Sequence, residues 1–238
     1  MNDRLGNEAP AHDSQGPADQ MPVDQGPADQ IEDHSAGGGR RLAGFAVACE
    51  ASLALLALGL GWLLNVPVWS PLKLDLEAIL WGGVGTLPLI ASLVWIDRYP
   101  FGPFRGLKEF MEQQITPLFH GCRWWQLAAI ATAAGLGEEL LCRGFLQQGL
   151  QLWLADHLGA TEAMWTALIV ASILFGLAHA LTRMYVVVCI VIGFYLGGLF
   201  LVTENLLVPV IIHGLYDFVA LVYLTRKSSE SGPVQLAS

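Results

Sequence analysis

The chain is poor in charged residues, since Asp, Glu, Lys and Arg make up only 14% of its 238 residues. Soluble domains carry roughly 25%. Hydrophobic residues make up 54% of the chain. This composition excludes an ordinary soluble enzyme and predicts a membrane protein.

Cysteine motifs are also missing. The four cysteines, at positions 49, 122, 142 and 189, show no CxxC or zinc-type spacing. Three of them fall in apolar segments, where a thiol behaves as a small hydrophobic group. We therefore infer no disulfide framework.

Residues 1–40 lack aromatic side chains and are rich in Asp, Gln, Gly and Pro. The segment also lacks the basic start and apolar core of a signal peptide. It contains QGPADQ twice, at 15–20 and 25–30. Two copies are too few for a repeat fold, so we interpret them as a duplicated spacer. We predict a disordered acidic tail.

Apolar stretches long enough to cross a bilayer follow the tail. Windows of about 20 residues give six candidate spans, near 42–64, 78–96, 125–150, 163–181, 184–202 and 205–224. The fold expected is an all-α polytopic bundle. The third span is unusually long, and we expect it to tilt or to break near Gly135 and Gly137.

Basic residues indicate the orientation, because cytoplasmic loops accumulate Lys and Arg. One side of the predicted topology holds Arg40, Arg41, Arg98, Arg105, Lys108, Arg123, Arg183, Arg226 and Lys227. The opposite loops contain only Lys73. Both termini are thus predicted to be cytoplasmic, in a multi-pass protein of the plasma or inner membrane.

The predicted organisation has four parts. A disordered tail (1–40) precedes two membrane helices and an interfacial helix (41–124), then a four-helix catalytic core (125–224) and a cytoplasmic tail (225–238). Within the second part, 105–120 contains apolar residues among charged and amide ones, namely Leu107, Phe110, Met111, Ile115 and Leu118. This pattern fits a helix on the membrane surface or a plain connecting helix. Trp124 and Trp125 resemble interfacial anchors.

Ionisable residues lie inside three of the apolar stretches, where a charge without a partner is costly and usually functional. In the first, Glu138 and Glu139 are about 100° apart around a helix, so they cannot share a face. Arg143 lies four residues after Glu139 and can pair with it. If it does, Glu138 can stay ionised and serve as a general base for water. A purely structural cluster is the alternative.

The other two stretches each contain a histidine in an i, i+4 pair. Phe175 can pack beside His179, and Asp217 can orient or charge His213. Each pair alone could be a structural contact. An acid, two histidines and another acid on three separate helices predict that these residues meet in one site.

The motifs EE-x3-R, F-x3-H and H-x3-D, in this order over about residues 125–222, resemble the CPBP family of intramembrane proteases. That family contains CAAX prenyl endopeptidases and bacterial relatives linked to bacteriocin processing and immunity. The resemblance implies a glutamate-dependent hydrolase that uses no metal or other cofactor. It also implies a membrane-associated peptide or protein substrate, which is lipidated in one branch of the family. The other expected partner is the lipid bilayer, and no nucleic acid is expected.

The resemblance implies roles for individual residues. Glu138 would be the base and His179 its partner, with Glu139 and Arg143 shaping the site. His213 and Asp217 would stabilise the oxyanion. Family members often have Asn at the position of Asp217, and an ionised carboxylate cannot donate to an oxyanion. Asp217 must then be protonated or act by orienting His213.

Other functions fit the same residues. Two histidines and two acids are adequate zinc ligands, although HExxH is absent. A thiol mechanism through Cys142 is weaker. A non-catalytic membrane adaptor or immunity protein would use the polar cluster only to fasten helices. A transporter would be expected to show inverted halves, and none is evident.

Overall fold

The structure, a computed structural model, describes the backbone of residues 27–230 and the side chains of residues 38–227. Throughout that range, every regular element is a helix, which confirms the predicted all-α class. The α-helices are α1 (Pro27–Leu64), α2 (Leu76–Arg98), α3 (Pro103–Phe110), α4 (Trp124–Glu139), α5 (Gln148–Ala155), α6 (Ala160–Ala178), α7 (Arg183–Thr203) and α8 (Leu207–Glu230).

Five segments are long and apolar enough to cross a membrane: Gly38–Leu64, Leu76–Arg98, Ala160–Ala178, Arg183–Thr203 and Leu207–Lys227. They correspond to five of the six predicted spans. Many large apolar side chains on these helices are exposed, as lipid-facing residues should be. The chain is therefore a multi-pass membrane protein.

The predicted third span, 125–150, is helical but not a uniform α-helix. Helix α4 is followed directly by a π-helix, Leu140–Gln147, and then by α5. The break expected near Gly135 and Gly137 is absent, because α4 passes through both glycines and the helix changes type at Leu140. Both glycines instead allow neighbouring backbones to approach closely.

The ends of the chain differ from the predicted boundaries. Residues 1–26 of the tail predicted to be disordered lie outside the described residues, and α1 begins at Pro27. Helix α8 continues to Glu230, past the predicted end at 224. Residues 231–238 of the predicted cytoplasmic tail also lie outside the described range.

The segment 105–120 forms α3, a π turn (Met111–Ile115) and a 3-10 turn (Thr116–Phe119). Its apolar side chains Leu107, Met111 and Ile115 line a central cavity rather than facing lipid. Their inward direction favours the connecting helix among the two structures considered. Trp124 and Trp125, at the start of α4, are exposed.

Helix α4 lies at the centre of the packing, between α1 and α8. Helix α8 also packs on α2, and α6 packs on α7. At the crossing of α4 and α8, a β-carbon at Gly135 would lie only 2.8 Å from the Gly214 nitrogen. This close approach brings the polar residues of α4 and α8 to the same level.

Candidate active site

Glu138 and Glu139 point in different directions from the end of α4. The Glu139 side chain is fully buried, whereas 14% of the Glu138 side chain is exposed. Glu138 lines the central cavity. The two carboxylates therefore meet different partners, as their 100° separation on a helix requires.

Glu139 is held by two cationic or potentially cationic groups. Arg143 Nη1 donates to Glu139 Oε1 at 2.7 Å, and His213 Nδ1 lies 2.8 Å from the same oxygen. The other oxygen, Oε2, is buried without a hydrogen-bond partner among the described residues. Glu139 thus links α4, the π-helix and α8.

Arg143 is itself buried and makes two further contacts. Its Nη2 donates to the Gly193 carbonyl on α7 at 2.9 Å, and its guanidinium lies 4.7 Å from the centre of the Phe175 ring. One turn later, Gln147 donates to the Gly197 carbonyl at 3.2 Å. A π-helix is common at functional sites, and this one carries both side chains that reach α7.

His179 lies at the carboxyl end of α6, where the chain leaves the helix before Thr182 caps α7. Its Nδ1 is 2.8 Å from the Phe175 carbonyl, and its Nε2 is 3.4 Å from Glu138 Oε2. A carbonyl can only accept, so Nδ1 must carry a proton and donate. This arrangement leaves Nε2 to face Glu138.

His213, on α8, is buried between two carboxylates. Besides its contact with Glu139, its Nε2 lies 3.4 Å from Asp217 Oδ2. Phe175 separates the two histidines, with its ring centre 4.7 Å from that of His179 and 5.9 Å from that of His213. The Phe175 ring therefore packs against both imidazoles and the Arg143 guanidinium.

Two adjoining cavities meet these residues. The larger, of about 640 Å³, has walls that are mostly apolar and come from α1, α2, α3, α4, α7 and α8 and from the two turns after α3. The smaller, of about 80 Å³, is lined by His179 and His213. Asp217 and Tyr185 line both, so the pair of histidines lies beside the space that Glu138 faces.

Ion pairs connect helices at another part of the larger cavity's wall. Lys108 Nζ lies 3.2 Å from Asp97, and Lys227 pairs with Asp97 and with Glu112, the latter at 3.0 Å. Tyr223 donates to Asp97 at 2.7 Å. Asp97 and Glu112 are thus already matched by lysines.

The seven residues predicted for the site, Glu138, Glu139, Arg143, Phe175, His179, His213 and Asp217, lie in one cluster. Cys142, the thiol alternative, lines neither cavity. Among the described side chains, no group of three or more His, Cys, Asp or Glu residues is arranged to hold a metal ion.

The sequence reasoning missed Glu50. It lies on α1, lines the larger cavity together with Glu138 and has a buried oxygen without a hydrogen-bond partner among the described residues. The signal was available, since Glu50 is an ionisable residue in the middle of an apolar span.

Comparison with known proteins gives one match. The type II CAAX prenyl endopeptidase Rce1-like family matches residues 120–219, which include every member of the cluster predicted from the sequence. No significant match to the chain is found among curated proteins or among solved structures. The match confirms the family resemblance seen in the three motifs, because residues 120–219, which contain all three, match the type II CAAX prenyl endopeptidase Rce1-like family.

Proposed function

We propose that the protein is an intramembrane endopeptidase in which Glu138 and His179 activate water to hydrolyse a peptide bond. The observation that carries the proposal is the 3.4 Å approach of His179 Nε2 to Glu138 Oε2 beside the cavity. A general base must lie within hydrogen-bond reach of the proton it takes, directly or through one water. Glu138 borders the larger cavity and His179 the smaller one that adjoins it, so a water at that place can reach both groups.

The proton chemistry follows from the hydrogen bond to Phe175. Because His179 Nδ1 donates to the Phe175 carbonyl, the neutral ring has its lone pair on Nε2, towards Glu138. Two lone pairs facing each other repel, so at 3.4 Å the pair shares a proton, and a water beside the pair can contact the carboxylate. Water placed there loses a proton to the pair as its oxygen attacks the carbonyl carbon. The same proton then passes to the leaving nitrogen as the C–N bond breaks.

His213 is the proposed donor to the oxyanion. Its Nδ1 is occupied by Glu139, while its Nε2 lies 3.4 Å from Asp217. His213 lines the smaller cavity, so its Nε2–H can be shared between Asp217 and a substrate oxygen. Asp217 would therefore act through His213, as a positioning residue that favours its charged form.

Glu139 and Arg143 are proposed to orient His213. Arg143 balances the charge of Glu139, and Glu139 in turn fixes the His213 ring through Nδ1. Phe175 packs against both imidazoles and excludes lipid from them. These three residues would set the geometry without touching the reacting atoms.

A membrane-associated substrate suits the larger cavity. Its apolar walls, formed by side chains such as Leu89, Leu107 and Ile192, can accommodate an apolar chain, as ligand pockets usually do. The family match supports a CAAX-type substrate that bears a lipid near the cleaved bond. The carboxylates and imidazoles that line the two cavities would meet the peptide part.

The proposed mechanism uses no metal. The zinc protease remains the second enzyme candidate, because histidines and carboxylates are its usual ligands. In the proposed site, Glu139 Oε1 is occupied by Arg143 and His213, and His179 Nδ1 by a backbone carbonyl. Activity that survives exhaustive chelation is expected, whereas loss on chelation with recovery on adding zinc would favour the metalloprotease.

The substrate can be found by comparing membrane proteomes of cells carrying the wild-type protein or Glu138→Gln. We expect peptide termini that appear only with the wild type, because the amide cannot accept the proton from water. Equal amounts of the two proteins in the membrane exclude a folding defect. If Glu138→Gln instead lowers expression and no peptide terminus differs, the non-catalytic adaptor is favoured.

A further inference from the structure

Glu50 is an ionisable side chain that the proposed mechanism does not use. It lies on α1, inside the apolar segment Gly38–Leu64, and α1 precedes the residues matched by the family. An acid in such a segment is costly unless it has a partner or a task. The position of Glu50 next to the proposed catalytic cavity indicates a role in binding the substrate.

Close packing of α1 and α4 puts Glu50 beside the site. Gly137, the residue before Glu138, contacts the Glu50 backbone so closely that a β-carbon there would overlap the Glu50 carbonyl oxygen. Glu50, Glu138 and Asp217 all line the larger cavity. The Glu50 carboxylate therefore faces the same space as the proposed general base.

The residues around Glu50 leave its carboxylate without a hydrogen-bond donor or a cation of its own. The charged or titratable groups that act on it are Glu138 on α4, His213 and Asp217 on α8, and His179 after α6. Its Oε2 is buried and accepts no hydrogen bond from the described residues. The two histidines are already engaged, by Glu138 in one case and by Glu139 and Asp217 in the other.

The charges of the site are unequal. Its acids are Glu50, Glu138, Glu139 and Asp217, and its bases are Arg143, His179 and His213. Even with both imidazoles protonated, four negative charges face three positive ones. Pairing each base with its observed acid leaves Glu50 as the carboxylate without a cation.

We propose that Glu50 is a specificity residue whose carboxylate binds a lysine or arginine side chain of the substrate, next to the bond cleaved. The inference rests on the proposed peptidase function and names the substrate feature read by that site. A basic side chain fits because its methylene stem packs on apolar surface while its charged end seeks a polar group. The cavity offers this combination, with apolar walls and an unmatched acid at Glu50.

The test uses the full-length protein in proteoliposomes and lipid-anchored fluorescent peptides. The peptides form a library that differs only in having Lys, norleucine or Glu at each residue near the anchored cysteine. Binding is measured in the Glu138→Gln background, where no turnover is needed. We expect the best Lys peptide to bind about tenfold more tightly than its norleucine counterpart, the value of one charged hydrogen bond, and the Glu peptide to bind more weakly than both.

The variant Glu50→Gln, added to this background, should bind the Lys and norleucine peptides equally. The matched control is Glu162→Gln, at an exposed position in the first turn of α6, and it should keep the preference. Thermal unfolding of each variant checks that the fold is kept. If Glu50→Gln does not fold, the comparison of Lys, norleucine and Glu peptides on protein that keeps Glu50 still tests the inference.

Two results would overturn the inference: no Lys peptide exceeding its norleucine counterpart at any position, or a preference that persists in Glu50→Gln. The proposed function fails separately. If Lys-dependent binding through Glu50 is present while wild-type protein cleaves no bound peptide, the subsite stands and the peptidase proposal falls. If cleavage is intact without a preference for Lys, only the subsite is wrong.

Discussion

Arg143 is the residue whose burial is hardest to explain without its partners. Only 1% of its side chain is exposed, and its two terminal nitrogens donate to Glu139 and to the Gly193 carbonyl. A buried charge is tolerated when it is paired and hydrogen-bonded, and removing one partner leaves the other uncompensated. Arg143 thus couples the stability of the fold to the position of His213 through Glu139.

At this scale we predict that Arg143→Ala lowers the free energy of unfolding by about 3–5 kcal/mol, because Glu139 would be left as an unpaired buried charge. Arg143→Lys should not restore it, since one ammonium cannot reproduce the two directions of the guanidinium. Thermal unfolding in detergent measures the effect. Arg183→Ala, at an exposed position at the start of α7, is the control. Wild-type stability in Arg143→Ala would contradict the structural role.

Spacing along one helix was enough to predict some contacts of these residues. Glu139 and Arg143, or His213 and Asp217, lie four residues apart, and both pairs are in contact. The bond from Arg143 to Gly193 and the approach of Glu50 could not be predicted, because they depend on how separate helices pack.

Among the helices, the contact between α1 and α4 matters most for the site. At Gly137 the two backbones touch, and any larger residue would push α1 away from Glu138. The boundaries of α2, α6 and α7 could be predicted closely, because hydropathy and length fix them. The π-helix at Leu140–Gln147 could not, since apolar periodicity does not distinguish it from an α-helix.

We predict that Gly137→Ala destabilises the protein by about 1–3 kcal/mol, the usual cost of overpacking. Gly59→Ala, on α1 and with open space around the position, should stabilise it by about 0.5–1 kcal/mol through helix propensity. Thermal unfolding of both variants makes the comparison. Equal effects at the two glycines would show that α1 and α4 do not touch as described.

For the molecule as a whole, basic residues lie at the helix ends that the predicted topology places on one side of the membrane. The ends of α2 and α8 carry Arg98 and Lys227, and the start of α7 carries Arg183. Loop charges alone were enough to propose an orientation, whereas the cavity depends on helices that are distant in sequence. Its apolar walls could therefore not be predicted from any one of them.

We predict that this basic side, including the end of α8, faces the cytoplasm of a cell membrane, and that the loop containing Lys73 faces the opposite side. Single cysteines placed at Ser70 and at Arg226 in a cysteine-free variant test this with a membrane-impermeant thiol reagent on intact cells. The cysteine at position 70 is expected to be labelled on intact cells. The cysteine at position 226 is expected to be labelled only after the cells are permeabilised. The reverse pattern would invert the topology.

The proposal that Glu138 and His179 activate water is tested most directly by the cleavage rate of purified, chelator-treated protein on a substrate peptide found by proteomics. We predict wild-type turnover that chelation leaves unchanged, and a fall of about a hundredfold or more in kcat for Glu138→Gln with unaltered thermal stability. Full activity of Glu138→Gln, or activity that disappears with the chelator and returns with zinc, would contradict it.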